Sequence, residues 1–293
     1  MTVGVAPNAS DAPNQADAAI QLAKEDAEFG PMSAWFGQPF GGADSPQLAV
    51  LVGREVPGTS AIPVFGRHPL LISSQAQTAQ AATHGRYHLD LALGTKLLTE
   101  TGFGPPFERP ITRLREFRTA LGQPTGTGKA DFHGELLTAT TPNPVRVPGT
   151  ENGIPLLVAV MGAQALQATG ELADGILPYL AGPRALAGPA LTAAAEAAGR
   201  PTPRIVALDP CVVSDDIDGV REKATKNLGF HEQIPSYARV IELSAGRRAA
   251  DLAVIGDEKT VEAAEVRRYR DDGAIEVLFS VTEIEGEADR QRT

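Results

Sequence analysis

The sequence of 293 residues predicts an α/β fold, and more specifically a (β/α)8 TIM barrel that forms one domain across residues 1–293. Short runs of β-branched or other apolar residues alternate with longer helical patterns, and every run but the last is followed by a helix. Strands that alternate with helices build parallel sheets. Nothing signals a second domain, so closure of the sheet into a barrel is the simplest arrangement.

The strands are predicted from the short apolar runs, and the helices from the longer periodic segments between them. The chain is rich in Ala and Leu and has 30 Gly and 23 Pro, which is typical of many helices joined by tight turns. The predicted strands are Thr2–Ala6, Ser33–Phe36, Ser60–Phe65, Tyr87–Leu93, Pro155–Val160, Gly175–Tyr179, Arg204–Val213 and Ala274–Phe279. The predicted helices are Ala16–Phe29, Pro46–Arg54, Leu70–Ala82, Arg109–Leu121, Ala163–Leu172, Arg184–Ala198, Ile217–Leu228, Ser236–Leu243 and Thr260–Asp272.

Two segments are too long for simple connections. Within Gly122–Pro148, the alternation of Gly134–Ala139 predicts a small β-excursion between strands four and five. Gly229–Arg248 gives an extended region after strand seven. Loops that follow barrel strands gather at the face where active sites are built, so this added length predicts a lid or a specificity loop. The polar residues 281–293 are expected to fray, with Ile284 as their weak apolar anchor.

Composition limits the partners and the compartment. The chain is 42% hydrophobic and 21% charged, with a formal net charge of −10, which argues against a nucleic-acid partner because phosphate binding needs a basic face. Its single cysteine, Cys211, lies in an apolar run and is expected to be a buried structural thiol in a reducing compartment. No apolar run reaches the ~18 residues of a membrane helix, and the N-terminus lacks a signal pattern. We therefore expect a cytoplasmic protein with no membrane partner.

Several apparent motifs fail on their spacing. "GTGK" at Gly126–Lys129 lacks the earlier glycine and the following Ser or Thr of a phosphate-binding loop. The five histidines show no metal-ligand spacing on a helix, so no metal site is expected. Asp215 and Asp216 open a predicted helix and are expected to be its N-cap and first-turn acids, and Asp257 is expected to cap the helix that follows it. Single motifs therefore leave the chemistry open.

The order of several segments is more specific. These segments resemble the luciferase-like monooxygenase superfamily, in particular its actinobacterial deazaflavin-dependent branch, over roughly residues 2–280. They are "AWFGQPFGGAD", "AIPVFGRHPLLISSQAQTAQAATHGRYHLDLALG", "FGPPFERPITRLREFRTAL", "DFHGELLT", "GELADGILPYLAGPRAL", "LTAAAEAAGR" and "GDEKTVEAAEVRRYRDDGA".

The resemblance implies a barrel whose cofactor ring lies over the C-terminal ends of the strands. The implied cofactor is the deazaflavin coenzyme F420, with FMN as second choice, and the implied reaction is hydride transfer with a small organic substrate. A homodimer and a role in secondary metabolism are expected on the same ground. Carried over by position, Gln38 is a polar residue at the active-site mouth, Pro63 and Val64 place backbone beside the ring, and Glu100 is an acid after strand four.

The chain departs from the family pattern at positions that are expected to face the cofactor. At the end of strand four the family has a pattern that resembles "LGIGPSHK", and Leu89–Lys96 occupies these positions here. Asp90 and Ala92 stand in place of the two glycines, and Gly94 and Thr95 stand in place of the Ser-His pair. After strand five, the positions expected to bind the cofactor are Gly162, Ala163 and Gln164, and the arginine of the family pattern is missing there. Loss of this arginine removes a bidentate contact to an anion, but a helix N-terminus at this place still suits phosphate. The last barrel helix also looks shortened after Phe279.

Asp90 is the sharpest of these departures. If Leu89, Leu91 and Leu93 face the helices, Asp90 and Ala92 face the barrel interior. A carboxyl buried there needs a partner such as Lys96 or Arg86, or else a raised pKa. It is then either an acid or base near the substrate or one half of a structural ion pair.

Three functions stay open at this point. The first is an oxidoreductase that uses deazaflavin or flavin, with Asp90, Glu100 and Gln38 as candidate catalytic residues. The second is a cofactor-independent cyclase or isomerase, suggested by the departures from the family pattern. The third is a non-catalytic partner subunit of a related enzyme.

Overall fold

The computed structural model describes residues 1–7, 12–28, 30, 33–39, 42–52, 56–182, 189–244, 246–261, 266–281, 283–284 and 293. Within these ranges the strands are β1 (Thr2–Val5), β2 (Ser33–Phe36), β3 (Val56–Thr59), β4 (Ile62–Pro63), β5 (Leu89–Ala92), β6 (Asp131–His133), β7 (Thr138–Thr140), β8 (Leu156–Ala159), β9 (Gly175–Ile176), β10 (Arg204–Val213), β11 (Val254–Gly256) and β12 (Glu276–Ser280).

The α-helices of the described ranges surround these strands. They are α1 (Gln15–Glu28), α2 (Ser45–Val52), α3 (Pro69–Ala82), α4 (Lys96–Gly102), α5 (Pro110–Gly126), α6 (Ala163–Leu172), α7 (Pro189–Ala197), α8 (Ile217–Leu228), α9 (Pro235–Leu243), α10 (Glu258–Thr260) and α11 (Arg267–Asp271). Two short 3-10 helices, His231–Gln233 and Ala249–Leu252, flank α9.

The strands form the predicted barrel. The sheet runs in the order β3-β2-β1-β12-β10-β9-β8-β5-β4 and every pair in it is parallel. A parallel bridge between Gly58 and His88 joins β3 to the start of β5 and closes the ring. Strands β3 and β4 are thus two halves of one barrel strand, interrupted at Ser60–Ala61, and the ring has eight strand positions with helices outside.

Most predicted elements are confirmed within a residue or two. The helix Ala163–Leu172 has the predicted bounds, and Asp216 and Asp257 cap α8 and α10 by accepting from Gly219 N at 3.0 Å and Thr260 N at 2.8 Å. The third strand starts earlier than predicted, and α4 was not predicted. The family segment after Gly182 and the chain end at 285–292, where the last helix was expected to be shortened, lie outside the described residues.

The β-excursion is present, but its strands have other bounds than the predicted stretch. β6 and β7 pair antiparallel, so the predicted stretch Gly134–Ala139 covers the turn and only the start of the second strand. The carboxylate of Glu116 on α5 holds this turn, because it accepts hydrogen bonds from the amides of Glu135, Leu136 and Leu137 at 2.7, 2.9 and 3.1 Å. Alternation thus located the hairpin, and a distant carboxylate fixes its turn.

The core has an inner and an outer layer. The barrel interior is filled by a cluster of Ala6, Trp35, Leu157, Leu177, Val206, Leu208 and Leu278, and Trp35 is 0% exposed. Gly58 lies close to the indole ring of Trp35, since a Cβ added at position 58 would lie 2.4 Å from an atom of that ring. Leu89 and Leu91 belong to the outer cluster between barrel and helices, and Cys211 is buried as expected.

No helix in the described part is long and apolar enough to cross a membrane. The segment that was expected to fray begins with two buried residues, Val281 and Ile284. Ile284 packs with Leu180, Val212 and other residues of a cluster under α8 and α9. The side chain of Asn227 donates to the carbonyl oxygens of Glu283 and Ile284 at 3.4 and 3.2 Å, so this short piece is fixed against the barrel.

Candidate active site

A cavity of about 590 Å³ opens at the C-terminal ends of the barrel strands. Every strand position of the ring contributes to its wall, which places it where barrel enzymes build their sites. The strand contributions are Ala6, Phe36, Ser60, Ala61, Asp90, Ala92, Ala159, Leu177, Tyr179, Leu208 and Ser280. The cavity volume falls in the range typical of small-molecule and cofactor sites.

Asp90 is the most unusual group in this wall. Its side chain is 0% exposed, and neither carboxyl oxygen makes a hydrogen bond of normal geometry within the described part of the chain. Burial raises the pKa of the Asp90 carboxyl well above its ordinary value, and the backbone amides of Leu91 and Ala159 offset only part of this shift. Burial therefore favours the protonated form of the carboxyl, which can donate one hydrogen bond and accept others.

Within the described residues, Asp90 forms neither of the two ion pairs that the sequence offered as one alternative. Arg86 instead donates from Nε to the carbonyl oxygen of Thr83 at 2.9 Å, and Lys96 is exposed. Of the two alternatives raised by the sequence, the structure has the raised pKa. Because a buried polar group without a partner is costly, the natural partner of this carboxyl is a ligand in the cavity.

His88 lies two residues before Asp90 on the same interior face of the strand. Its ring stacks at a tilt on Trp35, with 5.4 Å between ring centroids, and Nδ1 is buried without a hydrogen-bond partner in the described residues. Burial first, and the charge of Arg204 second, lower the pKa of His88 to about 4. The interior face of this strand thus carries two titratable groups whose pKa values burial shifts in opposite directions, each toward the neutral form.

Three of the predicted site residues line the cavity: Asp90, Ala92 and Gln38. Gln38 also shapes its mouth, because its Oε1 accepts from the amide and the hydroxyl of Ser45, each at 3.1 Å. Its Nε2 donates to the carbonyl oxygen of Pro39 at 3.2 Å. With both ends of the amide engaged, Gln38 holds the loop between β2 and α2.

The other predicted residues lie outside the cavity wall. Pro63 pairs with Ala92 in the sheet, and Val64 N donates to Ala92 O at 2.9 Å, so the backbone at the cavity edge is Ser60–Ala61 instead. Glu100 is exposed on α4 and accepts from Phe107 N at 3.0 Å, which fastens the following loop.

The remaining positions form the starts of two helices. Thr95 caps α4 by accepting from Leu98 N at 3.3 Å, and Gly94 before it adopts a φ of +71°. Gly162 caps α6, with Ala163 and Gln164 exposed in its first turn. The role of this helix start in binding phosphate stays a prediction.

Most residues of the cavity wall were not predicted, and Tyr179, His231, Tyr237 and Glu283 are among them. The hydroxyl of Tyr179 donates to Glu283 Oε1, and the rings of Tyr179, His231 and Tyr237 pack on one another with centroids 4.9 to 6.0 Å apart. Two of them, His231 and Tyr237, lie in the extended region after strand seven. That extra length was the available signal, but no spacing rule identified the individual residues.

The wall has a distinct electrostatic character. Its described residues include two carboxyl groups, Asp90 and Glu283, and no Lys or Arg. Burial raises the pKa of Tyr179 well above its usual range, with Glu283 adding to the shift, so the phenol is neutral. Within the described ranges, no group of three or more His, Cys, Asp or Glu side chains could hold a metal ion.

Comparison with known proteins agrees with this geometry. The sequence profile of luciferase-like monooxygenases matches residues 5–278, which is most of the chain. The chain belongs to the luciferase-like monooxygenase family. The resemblance seen in the sequence and the barrel it implied are both confirmed.

Two curated relatives are similar in sequence. One is an uncharacterized protein of Mycobacterium tuberculosis, 28% identical over 257 residues that cover 78% of this chain and 73% of that protein. The other is a 5,10-methylenetetrahydromethanopterin reductase of Methanopyrus kandleri, 26% identical over 197 residues that cover 61% of this chain and 56% of the reductase.

Three solved structures share the fold of this family member. The F420-dependent tetrahydromethanopterin reductase of Methanopyrus kandleri aligns with a TM-score of 0.75 at 20% identity, covering 99% of this chain and 95% of that one. An F420-dependent secondary alcohol dehydrogenase in complex with an F420-acetone adduct aligns with a TM-score of 0.78 at 17% identity. The alignment covers 96% of this chain and 94% of the dehydrogenase. The FMN-bound oxygenating component of 3,6-diketocamphane monooxygenase from Pseudomonas putida aligns with a TM-score of 0.75 at 14% identity. The alignment covers 99% of this chain and 95% of that component.

Proposed function

We propose that this protein is an oxidoreductase that transfers a hydride between a deazaflavin or flavin cofactor and a small organic substrate. Membership of the luciferase-like family supports this proposal, and so do relatives whose names include F420-dependent reductases and an FMN-bound monooxygenase. The observation that carries it is the cavity at the C-terminal ends of all eight strand positions, with a buried carboxyl in its wall that has no hydrogen-bond partner of normal geometry among the described residues.

The residues of the cavity suit a flat ring. Ala6, Ala61, Ala92 and Ala159 line it with small side chains, so a planar group could approach the strand ends closely. When bound there, a deazaflavin or flavin would supply the hydride donor or acceptor. F420 is our first choice because of the resemblance in sequence, and FMN is the second.

The protein's own groups have separate tasks in this proposal. Asp90, neutral in the wall, offers a proton or a hydrogen bond to a polar atom of the bound ligand. Gln38 holds the mouth loop in place, and the exposed start of α6 at Gly162 offers backbone amides to a phosphate outside the cavity.

An absorbance spectrum of the purified protein, followed by titration with F420 and with FMN, tests the proposal. Trp35, the single tryptophan, packs directly under the cavity, so ligand binding should quench its fluorescence. Ala92→Leu, which fills the cavity, should weaken cofactor binding by about tenfold or more. Ala82→Leu, the same change on the exposed end of α3, is the matched control. Absence of affinity for both cofactors refutes the proposal.

A second candidate rests on Asp90 itself. A neutral buried carboxyl beside a substrate is suited to proton transfer without any cofactor, as in a cyclase or an isomerase. Activity that persists in protein stripped of all flavin, and that is lost in Asp90→Asn, would favour this candidate. Retention of such activity in Asp90→Asn would remove Asp90 from the mechanism.

A further inference from the structure

One side of the cavity has a composition that the proposed hydride transfer does not explain. We call it the aromatic wall, and it consists of Tyr179, His231, Tyr237 and Glu283. His231 and Tyr237 meet edge to face at 4.9 Å, and Tyr179 lies 5.3 Å from His231 and 6.0 Å from Tyr237. Three rings thus form one continuous π-surface beside a carboxylate.

The aromatic wall is held in place from behind. His231 Nδ1 donates to the carbonyl oxygen of Leu228 at 3.2 Å, which fixes the orientation of the ring. The chain around Glu283 is fixed by Asn227 and by the burial of Ile284. A surface held in this way suits recognition, because little order must be gained on binding.

Glu283 uses only part of its capacity. Oε1 accepts from the hydroxyl of Tyr179, and Oε2 accepts no hydrogen bond within the described residues. No Lys or Arg occurs among the described residues of the cavity wall to neutralise this carboxylate. The negative charge therefore faces the cavity beside the π-surface of the rings, whose faces also carry negative potential.

A second observation indicates that this space takes a ligand. Asp90 is fully buried in the same cavity wall, and neither carboxyl oxygen has a hydrogen-bond partner of normal geometry in the described part. The cavity thus combines a carboxylate, three aromatic rings and a carboxylic acid. None of these groups offers a charge complement to an anion.

We propose that the substrate of this site carries a compact cation, such as a protonated amine, which binds on the aromatic wall between Glu283 and the rings of Tyr179 and Tyr237. Carboxylates and aromatic faces together are the groups that select ammonium ions in proteins. The proposal deepens the function proposed above and rests on it for the reaction. It assigns the choice of substrate to Glu283 and the two tyrosines.

Direct binding of matched small molecules tests this. Isothermal titration of cofactor-free protein would compare 2-phenylethylamine and benzylamine with 2-phenylethanol and benzyl alcohol, and with phenylacetate and benzoate. We expect each amine to bind about tenfold tighter than its alcohol, and each acid to bind more weakly than both.

The variants separate charge from structure. Glu283→Gln keeps an oxygen that can accept from Tyr179 and so keeps the chain pinned, but it should reduce the preference for amines to about twofold or less. Tyr237→Phe should retain the preference because the ring remains, and Tyr237→Leu should lower it. Glu196→Gln, on the exposed face of α7, is the matched control and should change nothing.

The outcomes are distinct. Equal affinity of amines and alcohols, failure of every amine to bind at millimolar concentration, or an unchanged preference in Glu283→Gln would each overturn the proposal. Parallel titration with F420 and FMN tests the oxidoreductase separately. Amine preference without affinity for either cofactor would leave the aromatic wall assigned and refute only the redox function.

Discussion

Asp90 and His88 should give the protein two opposed pH dependences of stability, and replacing them one at a time should reveal each. In the folded protein the pKa of Asp90 is raised, so the folded chain keeps a proton that the unfolded chain releases above about pH 3.8. The free energy of unfolding therefore falls as the pH rises from there toward the raised pKa. The slope is about 1.4 kcal/mol per pH unit.

His88 acts in the opposite direction. Its folded pKa is about 4, against 6.5 in the unfolded chain, so between these values the unfolded chain binds the extra proton. The free energy of unfolding thus rises with pH across this window, at about the same slope and by at most about 3.4 kcal/mol in total. In the native protein the two contributions oppose each other above pH 4.

Urea unfolding at half-unit steps from pH 4.5 to pH 8 measures these contributions. Relative to the native protein, Asp90→Asn should gain stability with rising pH by about 1.4 kcal/mol per unit until the raised pKa of Asp90 is passed. Relative to the native protein, His88→Gln should lose stability with rising pH up to pH 6.5 and then run parallel to it. Asp218→Asn, at an exposed position in the first turn of α8, is the control and should follow the native profile throughout.

The result that would refute the reasoning is a parallel profile. If Asp90→Asn and the native protein keep a constant difference between pH 4.5 and pH 8, the carboxyl does not hold its proton in the folded state. Asp90 would then be ionised and paired, and its assignment as a neutral donor to the ligand would fail with it.

Two further predictions concern packing. Glu116→Ala removes the acceptor of the three amides at the excursion turn. We expect the free energy of unfolding, measured with urea, to fall by about 2–4 kcal/mol, and proteolysis at residues 131–140 to become faster. Glu116→Gln should lower the free energy of unfolding by less. Equal proteolysis of both variants and the native protein would contradict this role. Gly58→Ala places a methyl group against Trp35 and should cost about 1–3 kcal/mol, whereas Gly126→Ala, with no atom within 4 Å of the added carbon, should be neutral or stabilising. Similar melting temperatures for these two variants would disprove the close fit under the cavity.

The fold followed from the sequence because barrel strands and helices are short-range patterns. Apolar runs and helical periodicity located the elements, and capping residues such as Asp216 set boundaries to within a residue or two. Prediction from local patterns failed at the excursion, where the strands have other bounds than predicted. The turn between them is held by Glu116, which lies some twenty residues earlier in the chain. Alternation cannot report such a contact.

The site could be predicted only in part. Asp90 and Ala92 were found from their departure from a family pattern and from the period of two along a strand. Glu100 and Thr95 share the same stretch of chain, yet their side chains fasten a loop and cap a helix instead of lining the cavity. Nearness in sequence to a strand end did not decide which side chains face inward.

The sequence by itself determined the barrel, the family and the presence of an acidic residue on the interior face of strand four, since all three depend on local pattern and residue order. Only the tertiary structure decided that Asp90 has no ion-pair partner in the described chain and that burial raises the pKa of its carboxyl. It also brought Tyr179, His231, Tyr237 and Glu283, from separate parts of the chain, into one wall. The reason is physical: burial and charge pairing depend on distances through space, and those distances are set by the closure of the ring.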